Sequence, residues 1–147
     1  MIPLSQAITR GAKIAPAMLV VKDDVYFSSQ TDGGHGSDPL GAAYLGSLKA
    51  ESVPHFWEFV RESTREALCK FMLHKLHMKW PHIGASVRQW PGLAEELERD
   101  RLIPRIRTNQ PTYRAEIHRS LWQVICDMHA AGESKGQIAE FLGRYGL

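Results

Sequence analysis

The sequence has little that would tie the protein to a membrane or to an oxidising compartment. Its 147 residues include only two cysteines, and no apolar run approaches the roughly 20 residues that a membrane-spanning helix needs. The first residues, Met1–Ser5, lack the basic region and apolar run of a secretory signal. These absences exclude a disulfide-rich or membrane-embedded class. They predict a cytoplasmic protein in which Cys69 and Cys126 are reduced.

A strong charge of one sign is also missing, because the formal net charge is only +2. The distribution is less even, since residues 99–119 carry six arginines against Asp100 and Glu116. Pro104 and Pro111 exclude a continuous basic helix there. The segment therefore has two interpretations: a solvated surface loop, or a surface that contacts nucleic acid or an acidic protein.

Recognisable catalytic motifs are absent as well. The chain has neither a G-x-S-x-G nucleophile turn nor a phosphate loop ending in G-K-[ST]. His35, between Asp32 and Asp38, could act as a general base, but glycine-rich turns with an incidental histidine are more frequent. The densest set of possible metal ligands matches no standard spacing. It comprises Cys69, His74, His77, His82, Cys126 and His129. We therefore predict neither an enzyme nor a bound metal or cofactor.

The residues that are present predict a mainly α single domain over 1–147, a helical bundle with a short N-terminal β-hairpin. Residues 1–53 would supply a first helix, the hairpin and a glycine-rich loop, and residues 54–147 the helical core. The predicted helices are Gln6–Ala12 capped by Ser5, Leu40–Leu48, Pro54–Lys79, Leu93–Leu102, Tyr113–Ala130 and Ser134–Leu142. The predicted strands are Met18–Val21 and Val25–Phe27, followed by a loop over 28–39.

Several local signals support these boundaries. Small residues in the second predicted helix permit close packing, and Trp80-Pro81 ends the long one. Gly132 can take a left-handed conformation, and Ser134-x-x-Gln137 has the spacing of a capping box. The final helix therefore has a defined start.

The segment "MHAAGESKGQIAEFLG", residues 128–143, resembles the "LHxxGxSxxxIAxxLG" pattern of helix-turn-helix proteins. In that pattern the helix that reads DNA bases follows the final "LG", where this sequence has only four residues. We expect a helical hairpin that closes the core. A nucleic-acid-binding or protein-binding hairpin is the alternative.

Two N-terminal motifs, "LSQAITRGA" at residues 4–12 and "PLGAA" at 39–43, resemble those of small uncharacterised phage and bacterial proteins. Those proteins begin "LSEAIRLGA", carry "ALGAA" after a short loop and end in a helix with an "IA" pair. The resemblance implies a phage or mobile-element context. It brings no activity and no functional residues with it.

Together these features predict a small non-enzymatic binding protein that modulates or inhibits a host protein or nucleoprotein complex. The predicted contact residues are Arg101, Arg105, Arg107, Arg114, Trp90 and Tyr113. One alternative is a helix-turn-helix-like nucleic-acid-binding regulator, possible as a homodimer. A metal-dependent enzyme is the least favoured alternative.

Overall fold

The computed structural model describes residues 2–17, 26–30, 34–97, 99 and 120–147. Over these residues the chain is mainly helical, with one two-stranded antiparallel hairpin, which confirms the predicted fold class. The helices are α1 (Leu4–Ile14), α2 (Pro39–Gly46), α3 (Val53–Glu62), α4 (Arg65–Lys79), α5 (Pro91–Glu96), α6 (Leu121–Ala130) and α7 (Lys135–Gly143). The strands are β1 (Phe27–Gln30) and β2 (Gly34–Ser37). No helix in these ranges has the length and apolarity to cross a membrane.

The first two helices are in backbone contact, as the small residues of α2 predict. A Cβ built on Gly11 of α1 would lie 1.7 Å from the Ala42 carbonyl oxygen, and one on Gly46 of α2 would lie 1.9 Å from that of Ala7. Glycine is therefore required at both positions. Every residue of α2 is buried, so this helix forms the centre of the core.

The predicted start and end of the first helix are wrong. Helix α1 begins at Leu4 with Pro3 at its cap, and Ser5 lies inside the first turn. The helix continues two residues past the predicted end at Ala12, to Ile14. Gly11 therefore lies in its interior, where the contact with Ala42 leaves no space for a side chain.

The hairpin exists but is shifted along the chain. β1 pairs with β2 in the register Phe27↔Ser37 and Gln30↔Gly34, so the segment predicted as a loop over 28–39 contains all of β2 and all of β1 except Phe27, which was predicted as strand. The predicted strand Met18–Val21 lies outside the described residues, as does Val25. β2 is a strand despite its glycines because a backbone packs on it: a Cβ at Gly36 would lie 2.9 Å from the Ala17 carbonyl oxygen.

The predicted long helix Pro54–Lys79 is two helices. Ser63 is extended, with φ −85° and ψ 145°, and its hydroxyl donates to the Phe59 carbonyl at 2.6 Å. The Thr64 hydroxyl then accepts from the backbone N–H of Ala67 at 3.1 Å and begins α4. Hydroxyl side chains that bond nearby backbone groups end one helix and start the next. Helix α4 ends before Trp80-Pro81, as predicted.

The C-terminal helices both begin at capping boxes, Ser120 with Gln123 and Ser134 with Gln137. The second box and the left-handed Gly132, with φ 91°, confirm the prediction. The predicted helix Tyr113–Ala130 starts too early, because Ser120 is extended with ψ 157° and α6 begins at Leu121. Residues 113–119 lie outside the described ranges.

The predicted helix Leu93–Leu102 begins two residues earlier, with α5 over Pro91–Glu96. Glu95 and Arg99, four residues apart, form an ion pair at 3.5 Å between exposed side chains. Residues 98 and 100–102 lie outside the described ranges. Leu93 and Leu97 are fully buried, and they join one apolar cluster with residues of α1, α2, α4, α6 and α7.

Candidate functional site

Five of the six predicted contact residues lie outside the described residues: Arg101, Arg105, Arg107, Tyr113 and Arg114. The sixth, Trp90, is half-buried and packs against the edge of the core. Its ring meets that of His82 edge to face, with centroids 6.1 Å apart. Trp90 therefore has a packing role, with part of its surface left for a partner.

The cysteines and histidines considered as metal ligands do not assemble into a site within the described residues, where no group of three or more potential ligands occurs. The His77 ring lies with its Nδ1 2.8 Å from the Leu73 carbonyl oxygen and stacks on Trp122. Neither cysteine is in a disulfide; Cys69 is half-buried and Cys126 is exposed.

Burial raises the pKa of Tyr26, and the nearby Cys69 thiol and Asp38 carboxyl raise it further.

His35, considered as a general base, is packed as an aromatic ring. It stacks on the buried Trp57 with ring centroids 3.8 Å apart and planes 13° from parallel. Its Nδ1 is buried and has no hydrogen-bond partner among the described residues. This environment suits an imidazole that fills space beside the hairpin.

One side chain in the described part of the chain, a lysine that the sequence analysis did not single out, is bonded to four backbone carbonyls. Lys135, the first residue of α7, is 7% exposed, and its Nζ donates to the carbonyl oxygens of Ala15, Pro16, Ala17 and Ser37 at 3.2, 3.4, 3.1 and 2.8 Å. We call these five residues the Lys135 junction. An ammonium group has three protons, so the carbonyls saturate it. The junction joins α7 to the end of α1 and to β2.

Two titratable groups lie beside the junction. Burial raises the pKa of Asp38 to about 7, against the lowering effect of the Gly41 N–H and of the Lys135 charge. The Asp38 carboxylate caps α2 by accepting from that N–H at 2.6 Å. Burial lowers the pKa of His129, and the charge of Lys135 lowers it further. The ionisable groups of Asp38 and His129 therefore both interact with the charge of Lys135 inside the fold.

One opening among the described residues combines volume with charge, a cleft of about 440 Å³. It lies where the start and middle of α1, the end of α2 and the end of α4 meet. Its lining residues are Ile2, Arg10, Gly46, Ser47, Leu48, Lys49, Lys79 and Trp80. We call it the basic cleft.

Each cation of the basic cleft comes from a different part of the fold. Arg10 is an exposed residue of α1, Lys49 follows α2, and Lys79 is the last residue of α4. The close contact between α1 and α2 fixes the first two, and Trp80 fixes the third, because its indole Nε1 donates to the Ile2 carbonyl at 3.1 Å. The three positions are therefore set by the core.

No carboxylate balances the charge of the basic cleft: none is among its lining residues, and in the described part of the chain none of the three cations lies in an ion pair. Lys79 Nζ lies 5.9 Å from the centre of the Tyr44 ring, a contact that leaves its charge available. Such a cleft attracts anions.

Sequence reasoning missed the basic cleft because its successive cations are 39 and 30 residues apart and follow no spacing rule. Lys79, which precedes Trp80-Pro81, is the single local signal. A basic residue at that place is typical of a helix C-terminus and does not by itself indicate a binding site.

No protein-family model, no curated protein and no solved structure matches the chain.

Proposed function

We propose that this chain is a small non-enzymatic binding protein that attaches to an acidic surface of a host protein or nucleoprotein complex. The observation that carries the proposal is the basic cleft, with Arg10, Lys49 and Lys79 around one opening and no carboxylate lining it. Clustered charge of one sign speeds encounter with an opposite surface and selects its orientation. The arginine-rich segment 99–119 would extend the same preference.

The chemistry-bearing side chains of the interior support a binding role over a catalytic one. Lys135 is saturated by carbonyl oxygens, Asp38 caps a helix, and His35 is stacked on Trp57. A general acid or base must reach a substrate within hydrogen-bond distance. These groups are instead committed to backbone and ring contacts.

The N-terminal resemblance adds a phage or mobile-element setting to the proposal. In that setting the protein would modulate or inhibit host machinery. A small protein of that type acts by occupying a surface of its target. We expect it to work in the cytoplasm, where such targets lie.

The second candidate is a nucleic-acid-binding regulator, favoured by the helical hairpin α6–α7 with its left-handed Gly132 turn. Against it, the exposed face of α7 offers Gln137, Glu140 and Arg144, and the last two lie 3.7 Å apart as an ion pair. That face has no net positive charge for a phosphate backbone.

The proposal is tested by capturing partners from host cells with three full-length baits. One is the natural chain, one carries Arg10→Gln, Lys49→Gln and Lys79→Gln, and the control carries Lys13→Gln, Lys70→Gln and Arg88→Gln. The control removes the same charge from exposed residues outside the cleft. We expect one complex to be retained by the natural chain and the control and lost by the cleft variant.

Equal retention by all three baits would contradict the cleft as the contact surface. A gel-shift series with duplex DNA separates the two candidates. Binding that weakens steeply with salt and survives the cleft substitutions would favour the nucleic-acid-binding hairpin.

A further inference from the structure

We infer that the basic cleft recognises a phosphate monoester group in its dianionic form. This inference rests on the proposed function, because it names the chemical group that the cleft would contact on a partner. The evidence is the balance of charge, the types of donor and the volume of the cleft.

The charge of the cleft matches a dianion. Arg10, Lys49 and Lys79 contribute three positive charges. The C-terminal ends of α2 and α4 meet at the same opening, and each helix end contributes about −0.5 of an elementary charge. About two positive charges remain. A phosphate monoester carries about −1.5 to −2 near pH 7, whereas one carboxylate carries only −1.

The donors also suit phosphate. A guanidinium group offers a planar fork that binds two phosphate oxygens, and lysine ammonium groups bind as point charges. Arg10, Lys49 and Lys79 line the same opening from three separate parts of the chain. The Ser47 hydroxyl is already used, since it donates to the Tyr44 carbonyl at 2.6 Å. The three cations are therefore the principal side-chain donors.

The volume leaves room for what carries the phosphate. A cleft of about 440 Å³ lies within the range of roughly 300–1,000 Å³ typical of small-molecule sites. Ile2 and Leu48 supply an apolar part of the lining beside the cations. The group bound is thus a phosphate attached to a larger molecule, either a phosphorylated side chain or a nucleotide.

The competing explanation is that the cations only balance the helix C-termini. It predicts that their removal lowers the stability of the fold and that no anion binds selectively. Phosphate recognition predicts a selective, saturable site. The two explanations therefore differ in binding and not only in folding.

The test is an NMR titration of the full chain with inorganic phosphate, phosphoserine and a nucleoside 5′-monophosphate, at constant ionic strength set by sodium chloride. We expect saturable shifts at the backbone amides of Ser47, Leu48 and Lys49 and at the Trp80 indole. With phosphoserine, affinity should increase several-fold as the pH rises through about 6, where the monoester becomes a dianion. The stronger of the two organic ligands identifies the carrier.

The cleft variant should bind at least about tenfold more weakly, the loss expected when charge-assisted bonds are removed, while the control stays within about twofold. The inference fails if acetate shifts the same signals at the concentrations that phosphate needs, or if the cleft variant binds phosphate as the natural chain does. If the cleft variant loses the host complex but phosphate does not bind, this inference is wrong and the proposed function stands. If phosphate binds and the host complex survives the cleft substitutions, the proposed function is wrong and the phosphate site stands.

Discussion

The molecule uses lysine and arginine in two opposite ways. At the Lys135 junction one buried ammonium group is surrounded by four carbonyl oxygens within 3.4 Å. At the basic cleft Arg10, Lys49 and Lys79 surround open volume and meet no carboxylate in its lining. The first cation has its partners within the fold. The second set has a place for a partner from outside.

The difference between the Lys135 junction and the basic cleft separates charges that stabilise the fold from charges available for binding. A buried charge is tolerated only when hydrogen bonds replace its hydration, so the junction must be satisfied for the chain to fold. Exposed cations are solvated in the free protein and contribute little to its stability. We therefore expect substitutions at the junction to lower stability and substitutions at the cleft to weaken binding.

The largest effect should come from the contact that supports both regions. In Gly11→Ala the new methyl group would meet the backbone of Ala42, which cannot move as a side chain can. We expect a loss of about 3 kcal/mol or more in the free energy of unfolding, measured by urea denaturation. The control is Gly136→Ala on α7, where a Cβ has no atom nearer than the Ser134 hydroxyl at 3.8 Å. It should be neutral or stabilising by up to about 1 kcal/mol. Equal effects would contradict the close helix contact.

Next in size is Lys135→Met, which leaves the carbonyls of the junction without their donor. We expect a loss of about 3 kcal/mol, the usual cost of breaking a buried charged network. Lys70→Met provides the comparison, because the Lys70 side chain is 76% exposed and pairs with an exposed Glu66. Its effect should stay below about 0.5 kcal/mol. Similar losses for both lysines would show that the junction does not stabilise the fold.

The next prediction concerns the pH dependence of folding stability that arises from Asp38, beside the Lys135 junction. The unfolded Asp38 carboxyl titrates near its ordinary pKa of 3.8, and the folded one at about 7. Between these values the folded chain holds a proton that the unfolded chain has lost, so stability falls as the pH rises from about 4 to 7. Asp38→Asn keeps the cap acceptor and should remove most of this pH dependence. Stability curves of the two chains that stay parallel over this range would contradict the raised pKa.

The smallest effect on stability should be at the cleft itself. We expect the combined Arg10→Gln, Lys49→Gln and Lys79→Gln chain to unfold within about 1 kcal/mol of the natural chain, since none of the three is buried. Thermal unfolding of the cleft variant and of its charge-matched control measures this directly. If the cleft variant lost as much free energy of unfolding as Lys135→Met, the cleft cations would stabilise the fold. The contrast between the cleft and the junction would then be wrong.

The helical content of the fold was predictable because it depends on local signals. Each of these signals lies within a short stretch of sequence: the apolar spacing, the small residues of α2 and the Ser134 capping box. The Ser120 box has the same S-x-x-Q spacing and could have been found by the same rule. The break at Ser63-Thr64 also had a local signal in its two hydroxyl residues.

Other features depend on contacts between distant segments, and no local pattern reports them. β2 consists of glycine, histidine and serine without apolar alternation, and it is a strand because β1 and Ala17 pack on it. Lys135 gave no signal because its acceptors are about 100 to 120 residues away. The cleft is equally non-local. The predicted arginine-rich contact surface remains a prediction, because most of it lies outside the described residues.

The central claim is that the cleft cations are reserved for an outside partner while Lys135 serves the fold. Retention of the host complex on immobilised natural chain, cleft variant and charge-matched control tests it most directly. We predict that the complex is held by the natural chain and the control and released by the cleft variant, although all three baits are folded by circular dichroism. Undiminished retention by a folded cleft variant would contradict the claim.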